Sequence, residues 1–131
     1  MLENFEPQSV FKYFEKIASI PHGSSNTKAI SDYVVSVCKE HGLSYVQDSY
    51  NNVIVYKESA KGYEDKPPVM LQGHLDMVCE KNFETDARFD FETDPLKLSV
   101  MDDYIYAKGT TLGGDDGIGV AYMLSLLTDD T

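Results

Sequence analysis

The sequence predicts an α/β fold, a mixed sheet with helices packed on it, and three observations point there. Apolar residues recur at helical spacing in two early segments and one late one. Short runs between them alternate apolar and polar residues, as half-buried strands do. Clusters of Gly, Pro, Asn and Asp separate the runs. The order reads α-α-β-β-β-β-β-α, an arrangement that suits a layered domain.

Pro7 stands at the first turn of the first expected helix, where its fixed φ costs nothing. Val10, Phe11, Phe14, Ile17 and Ala18 follow with helical spacing, and Pro21 stops the segment. After the polar loop from His22 to Asn26, Ser25 or Asn26 can cap a second helix. Its buried face is expected to carry Ile30, Tyr33, Val34, Val37 and Cys38. His41 and Gly42 read as the cation and the glycine that close it. Strands are expected over 43–48 and 53–57, joined by hairpin chemistry at Tyr50-Asn51-Asn52. The loop 59–66 is charged. A buried strand over 68–74 follows the Pro67-Pro68 break. The polar stretch 79–94 has the length of a functional or mobile loop. Leu96, Leu98 and Val100 alternate, as do Tyr104 and Tyr106, with Asp102-Asp103 able to turn between them. Ile118, Val120, Ala121, Leu124 and Leu127 mark a last helix, which reads as a crossover leading to a further strand.

A chain of 131 residues with 42% hydrophobic and 25% charged residues is long enough for one globular domain. Its net charge of -11 argues against nucleic acid or an anionic membrane as partner. Most of that charge reads as a solvated acidic surface. No apolar run is long enough to span a bilayer, and the first residues lack the basic-then-apolar pattern of an export signal. A cytoplasmic location is therefore expected, with Cys38 and Cys79 as reduced thiols.

Two stretches carry candidate chemistry. The run over 69–78 is apolar and ends in His74 and Asp76. Residues two apart on an extended chain share a side, so both can face one site. A histidine presents one ring nitrogen to a metal in a fixed tautomer once a partner such as a carboxylate holds the other. The second stretch, 109–117, is a glycine-rich turn carrying Asp115 and Asp116 into the last helix. Helix-start acids need no metal, being favoured by about 0.3–1 kcal/mol each. Gly113-Gly114, however, suit a turn that aims a carboxylate, and one carboxylate can bridge two cations about 3.5–4 Å apart. His22 reads as a loop residue, Cys38 as core, and the nine tyrosines as packing.

Together, VMLQGHLDMV and YIYAKGTTLGGDDGIGVA resemble the N-terminal part of the aminoacyl-histidine dipeptidase family, among the co-catalytic zinc peptidases that include carnosinase and peptidase T. Ser19-Ile20-Pro21, Asn51-Asn52-Val53 and Asp94-Pro95 extend the resemblance across the chain. It implies that residues 1–131 form the N-terminal portion of a zinc-peptidase catalytic domain, without its lid or dimerisation domain. It further implies two zinc ions, with cobalt or manganese as substitutes. His74 would ligate one zinc, Asp115 would bridge both, and Asp76 would serve catalysis by orienting His74. The bond between Asp115 and Asp116 would be cis. Asp116 departs from relatives with Asn there and is assigned no ligand role.

The implied reaction is hydrolysis of dipeptides, with Xaa-His the implied substrate. The implied general base is the first of two adjacent glutamates, and no Glu-Glu pair occurs in the sequence. A catalytic zinc site takes three protein ligands and a base, so these residues alone are expected to be inactive. A tripeptidase, a carboxypeptidase, an amide deacylase or a non-catalytic interaction unit with half a metal site are the alternatives. Self-association through an exposed sheet edge is also expected.

Overall fold

The computed structural model describes every residue except Glu84, Asp86 and Thr131. The first two belong to the loop expected over 79–94 and lie outside the described residues, as does the final threonine. Seven elements follow in order: helices α1 (Gln8–Ala18) and α2 (Lys28–Glu40), strands β1 (Ser44–Gln47), β2 (Val53–Tyr56), β3 (Leu98–Met101) and β4 (Tyr104–Ala107), and helix α3 (Gly114–Leu127).

The helices form where the apolar spacing places them. α1 buries Val10, Phe14, Ile17 and Ala18, and Pro7 sits one position earlier than expected, as its N-cap. α2 buries Ile30, Val34, Val37 and Cys38 together with Val35 and Ser31. Its N-cap is Thr27, not Ser25 or Asn26. Ser25 is in the left-handed region at φ 69°, inside a turn, and the Thr27 hydroxyl accepts a hydrogen bond from Nδ2 of Asn51. His41 and Gly42 close α2, with Gly42 at φ 64°. α3 buries Gly117, Val120, Ala121 and Leu124.

α1 lies against α3. Gly117 allows the close approach, since a Cβ there would stand 3.4 Å from Cε2 of Phe14 and 3.7 Å from Cγ2 of Ile17. A hydrogen bond between the hydroxyls of Ser9 and Ser125, and one from the Tyr13 hydroxyl to that of Thr128, tie α1 to α3 and its C-cap. α2 packs on the β1-β2 hairpin, where Nε2 of Gln47 donates to the buried hydroxyl of Ser31 at 2.8 Å. One apolar cluster joins Leu2, α1, α2, Leu98 and α3. Each fully buried aliphatic or aromatic side chain in it contributes about 1.5–3 kcal/mol.

The sheet differs from expectation. The strands form two separate antiparallel hairpins, β1-β2 and β3-β4, instead of one mixed sheet. The β1-β2 turn is held by Asp48, whose carboxylate accepts from the backbone N–H groups of Tyr50 and Asn52 and from Nδ2 of Asn52. Those bonds hold its carboxyl below the usual range. The segment over 68–74 makes no backbone hydrogen bond to a described residue, so the buried strand expected there is not observed among the described residues. Val69 and Met70 are 84% and 89% exposed. A strand requires a hydrogen-bonding neighbour, and Pro67 and Pro68 supply no donor. Several tyrosines also depart from the packing role, with Tyr50 83% and Tyr104 66% exposed.

Candidate functional site

The segment that follows His74 pairs through its backbone with two pieces of chain, the loop before α2 and the start of the glycine turn. Met77 donates to the carbonyl of His22 and accepts from the N–H of Ser24, forming an isolated parallel bridge with Gly23. Downstream, Thr111 donates to the carbonyl of Glu80 and Asn82 to that of Gly109. The Thr111 hydroxyl adds a bond to the carbonyl of Val78 at 2.6 Å. The loop before α2, the segment 74–82 and the turn 109–114 thus meet at one place.

Gly113 is the N-cap of α3 and lies at φ 69°, in the left-handed region that favours glycine. A Cβ there would stand 3.0 Å from Sδ of Met77 and 3.3 Å from Nε2 of His22. Asp115 and Asp116 then take non-helical angles (φ -92°, ψ 107° and φ -111°, ψ 23°) before the helix becomes regular. The peptide between them is cis.

This geometry aims Asp115 at His74. Nε2 of His74 donates to Oδ1 of Asp115 at 3.0 Å across forty-one positions of sequence. Nδ1 of the same ring donates to the carbonyl of Asp76 at 2.9 Å and lies 3.2 Å from its Oδ1. Both ring nitrogens face oxygen acceptors, which raises the His74 pKa, with the Asp115 bond as the largest cause. The site is open: the His74 side chain is 51% exposed and that of Asp115 96%. The Ser24 hydroxyl donates to Oδ2 of Asp76 at 2.6 Å, the chief reason the Asp76 carboxyl lies below its usual range.

The structure therefore brings His74, Asp76 and Asp115 together. Two neighbours were not assigned to the site from sequence. Ser24 steadies Asp76, and its only signal was membership of a polar loop ahead of α2. His22, read as a loop residue, is buried beneath Gly113. Its Nδ1 donates to the carbonyl of Ile20 at 2.6 Å, and burial pushes its pKa down. Cys79 lies against Gly23 with its thiol pushed up by burial. Among the described residues, no group of three or more His, Cys, Asp or Glu side chains is arranged to hold a metal ion. No helix among them is long and apolar enough to cross a membrane.

Known proteins share this arrangement of sequence and fold. The chain is 40% identical over 129 residues to the cytosol non-specific dipeptidase of Escherichia coli (strain K12), a match covering 98% of the chain and 26% of that protein. Its fold matches the crystal structure of aminoacylhistidine dipeptidase from Vibrio alginolyticus with a TM-score of 0.93 at 39% identity, over 98% of the chain and 26% of that structure. The chain is a homologue of dipeptidases. It spans about a quarter of the length of these relatives. No family model matches it. The relatives' resemblance runs through both hairpins, all three helices and the stretches carrying His74, Asp76 and Asp115, since almost the whole chain is covered.

Proposed function

We propose that residues 1–131 form part of the catalytic domain of a metal-dependent dipeptidase, with His74 and Asp115 as metal ligands and Asp76 as the residue that orients His74. The observation that carries this reading is the pair itself. An imidazole nitrogen and a carboxylate oxygen stand 3.0 Å apart, and the opposite ring nitrogen is tied down by Asp76. Imidazole plus carboxylate is a donor set that suits zinc, with cobalt or manganese as substitutes. Ligation requires Nε2 to release the proton it now shares with Asp115. The Nδ1 bond keeps the ring in the orientation and tautomer that leaves Nε2 for the metal. Asp115 is almost fully exposed, so its second oxygen is open to another cation.

Bound zinc supplies a water of lowered pKa and a Lewis acid for the scissile carbonyl. His74 and Asp115 would hold that centre, and Asp76, whose carboxyl Ser24 keeps below its usual range, would fix the orientation of the His74 ring through Nδ1. Two donors fall short of the three that a catalytic zinc takes. Polypeptide beyond this quarter of the relatives' length would supply the others, with the general base. The substrate proposed is a dipeptide, with Xaa-His favoured by the resemblance, and the location proposed is the cytosol.

The test is transplantation. This chain replaces the matching quarter of the Escherichia coli relative, and hydrolysis of Ala-His and of a dipeptide without histidine is followed. We expect no turnover by the chain alone, turnover by the chimera, and loss of turnover with a chelator or with His74→Ala or Asp115→Ala. Turnover that survives chelation, or a chimera indifferent to both substitutions, would overturn the proposal.

A further inference from the structure

His74 stands beside Asp115 with little backbone support of its own. Between residues 68 and 75 no backbone hydrogen bond joins the chain to a described residue. The segment is anchored downstream, at the Met77 bridge. Upstream of His74 its approach to α3 falls at Gly73. A Cβ built on Gly73 would collide with Oδ2 of Asp116 and stand 2.6 Å from Cε of Met123. A Cβ on Gly119 would collide with Oδ1 of the same carboxylate and stand 2.9 Å from its Cγ. Asp116, Gly119 and Met123 follow one another three and four positions apart, a spacing that shares one helix face.

The Asp116 carboxylate therefore fills a slot that exists because two positions lack a Cβ. It is half-buried and accepts no side-chain or backbone hydrogen bond from a described residue, so the contact is steric. We infer that Asp116 is a positioning residue: with one oxygen against Gly73 and the other against Gly119, it sets the distance between the His74 segment and α3 and keeps Nε2 of His74 on Asp115. Its importance for activity rests on the dipeptidase reading, while the contact is testable without metal or substrate. Asp115 and Asp116 then divide the work of two adjacent carboxylates. One faces the open site, and the other spaces the two pieces of chain that build it.

The imidazole ¹⁵N shifts of His74 report the contact directly, read in metal-free protein at one fixed pH, with Asp115→Ala as the reference for its loss. Asp116→Asn keeps the size of the side chain and is expected to keep the wild-type shifts. Asp116→Ala empties the slot and Gly119→Ala fills it, and both are expected to move the His74 shifts most of the way to the reference. Alanine is favoured over glycine within a helix, so Gly119→Ala supplies a folded protein if Asp116→Ala does not fold. Wild-type shifts in Gly119→Ala or in folded Asp116→Ala would overturn the inference. So would Asp116→Asn moving as far as the reference, since charge and not bulk would then be responsible. The expected pattern in the metal-free chain, together with a chimera that takes up no zinc, would overturn the proposed function and leave this inference standing.

Discussion

The surface where α1 meets α3 and the segment over 67–74 are both apolar in sequence, yet one is closed and the other open. Phe14, Ile17, Val120 and Leu124 are at most 6% exposed, whereas Val69, Met70 and Leu71 are 55% exposed or more. A helix satisfies its own backbone and needs a neighbour only for its apolar stripe. A strand needs a neighbour for its backbone as well. Apolar character alone therefore buries the first surface and leaves the second waiting for a hydrogen-bonding partner.

The sharpest way to break this comparison is a pair of truncations. Phe14→Ala is expected to lower the unfolding free energy by about 3–5 kcal/mol, as buried aromatic truncations do. Met70→Ala, at a residue 89% exposed, is expected to change it by about 0.5 kcal/mol or less. Urea unfolding followed by circular dichroism measures both. Similar losses at the two sites would mean that the segment is packed in solution.

Next in size is the glycine turn. Gly113→Ala forces a Cβ into the left-handed region and toward Met77 and His22, and is expected to cost about 1–3 kcal/mol. The same unfolding assay reads it. A neutral result would show that the turn relaxes without disturbing its neighbours.

A smaller, pH-dependent effect separates buried His22 from exposed His74. Burial holds the folded His22 below its ordinary pKa. Above about pH 6.5 it is neutral in both states and contributes no slope. As the pH falls through that value, the unfolded chain takes up a proton that the folded one resists, and stability declines toward the folded pKa. His74 has the opposite sign, its pKa being raised by Asp115, so it favours the folded state on acidification. Against His22→Asn, the wild type is therefore expected to lose relative stability between about pH 7.5 and 5. A constant difference in thermal midpoint across that range would contradict the buried, neutral assignment.

The helices and hairpins were legible because their determinants are local: periodicity, Pro7, Gly42, and the turns at Tyr50-Asn51-Asn52 and Asp102-Asp103. The pairing of His74 with Asp115 was legible from motif pattern, although the residues are far apart in sequence. The slot around Asp116 was not. It depends on Gly73 and Gly119, which look like ordinary turn and helix glycines until their backbones meet one carboxylate. Nor was the burial of His22, because a polar loop in sequence does not reveal that Gly113 will close over it. The unpaired segment over 68–74 escaped for the reason the comparison gives: its pattern specifies a strand, and a pattern cannot supply the partner.

Calorimetric titration of zinc into the metal-free chimera, in which this chain replaces the matching quarter of the Escherichia coli relative and the remaining ligands are present, tests the central assignment most directly, comparing the wild-type segment with His74→Ala, Asp115→Ala and Asp76→Asn. The account predicts saturable uptake by the wild type, loss of that uptake in both alanine variants, and weakening of about 10–100-fold in Asp76→Asn. Equal uptake by all four proteins would contradict it.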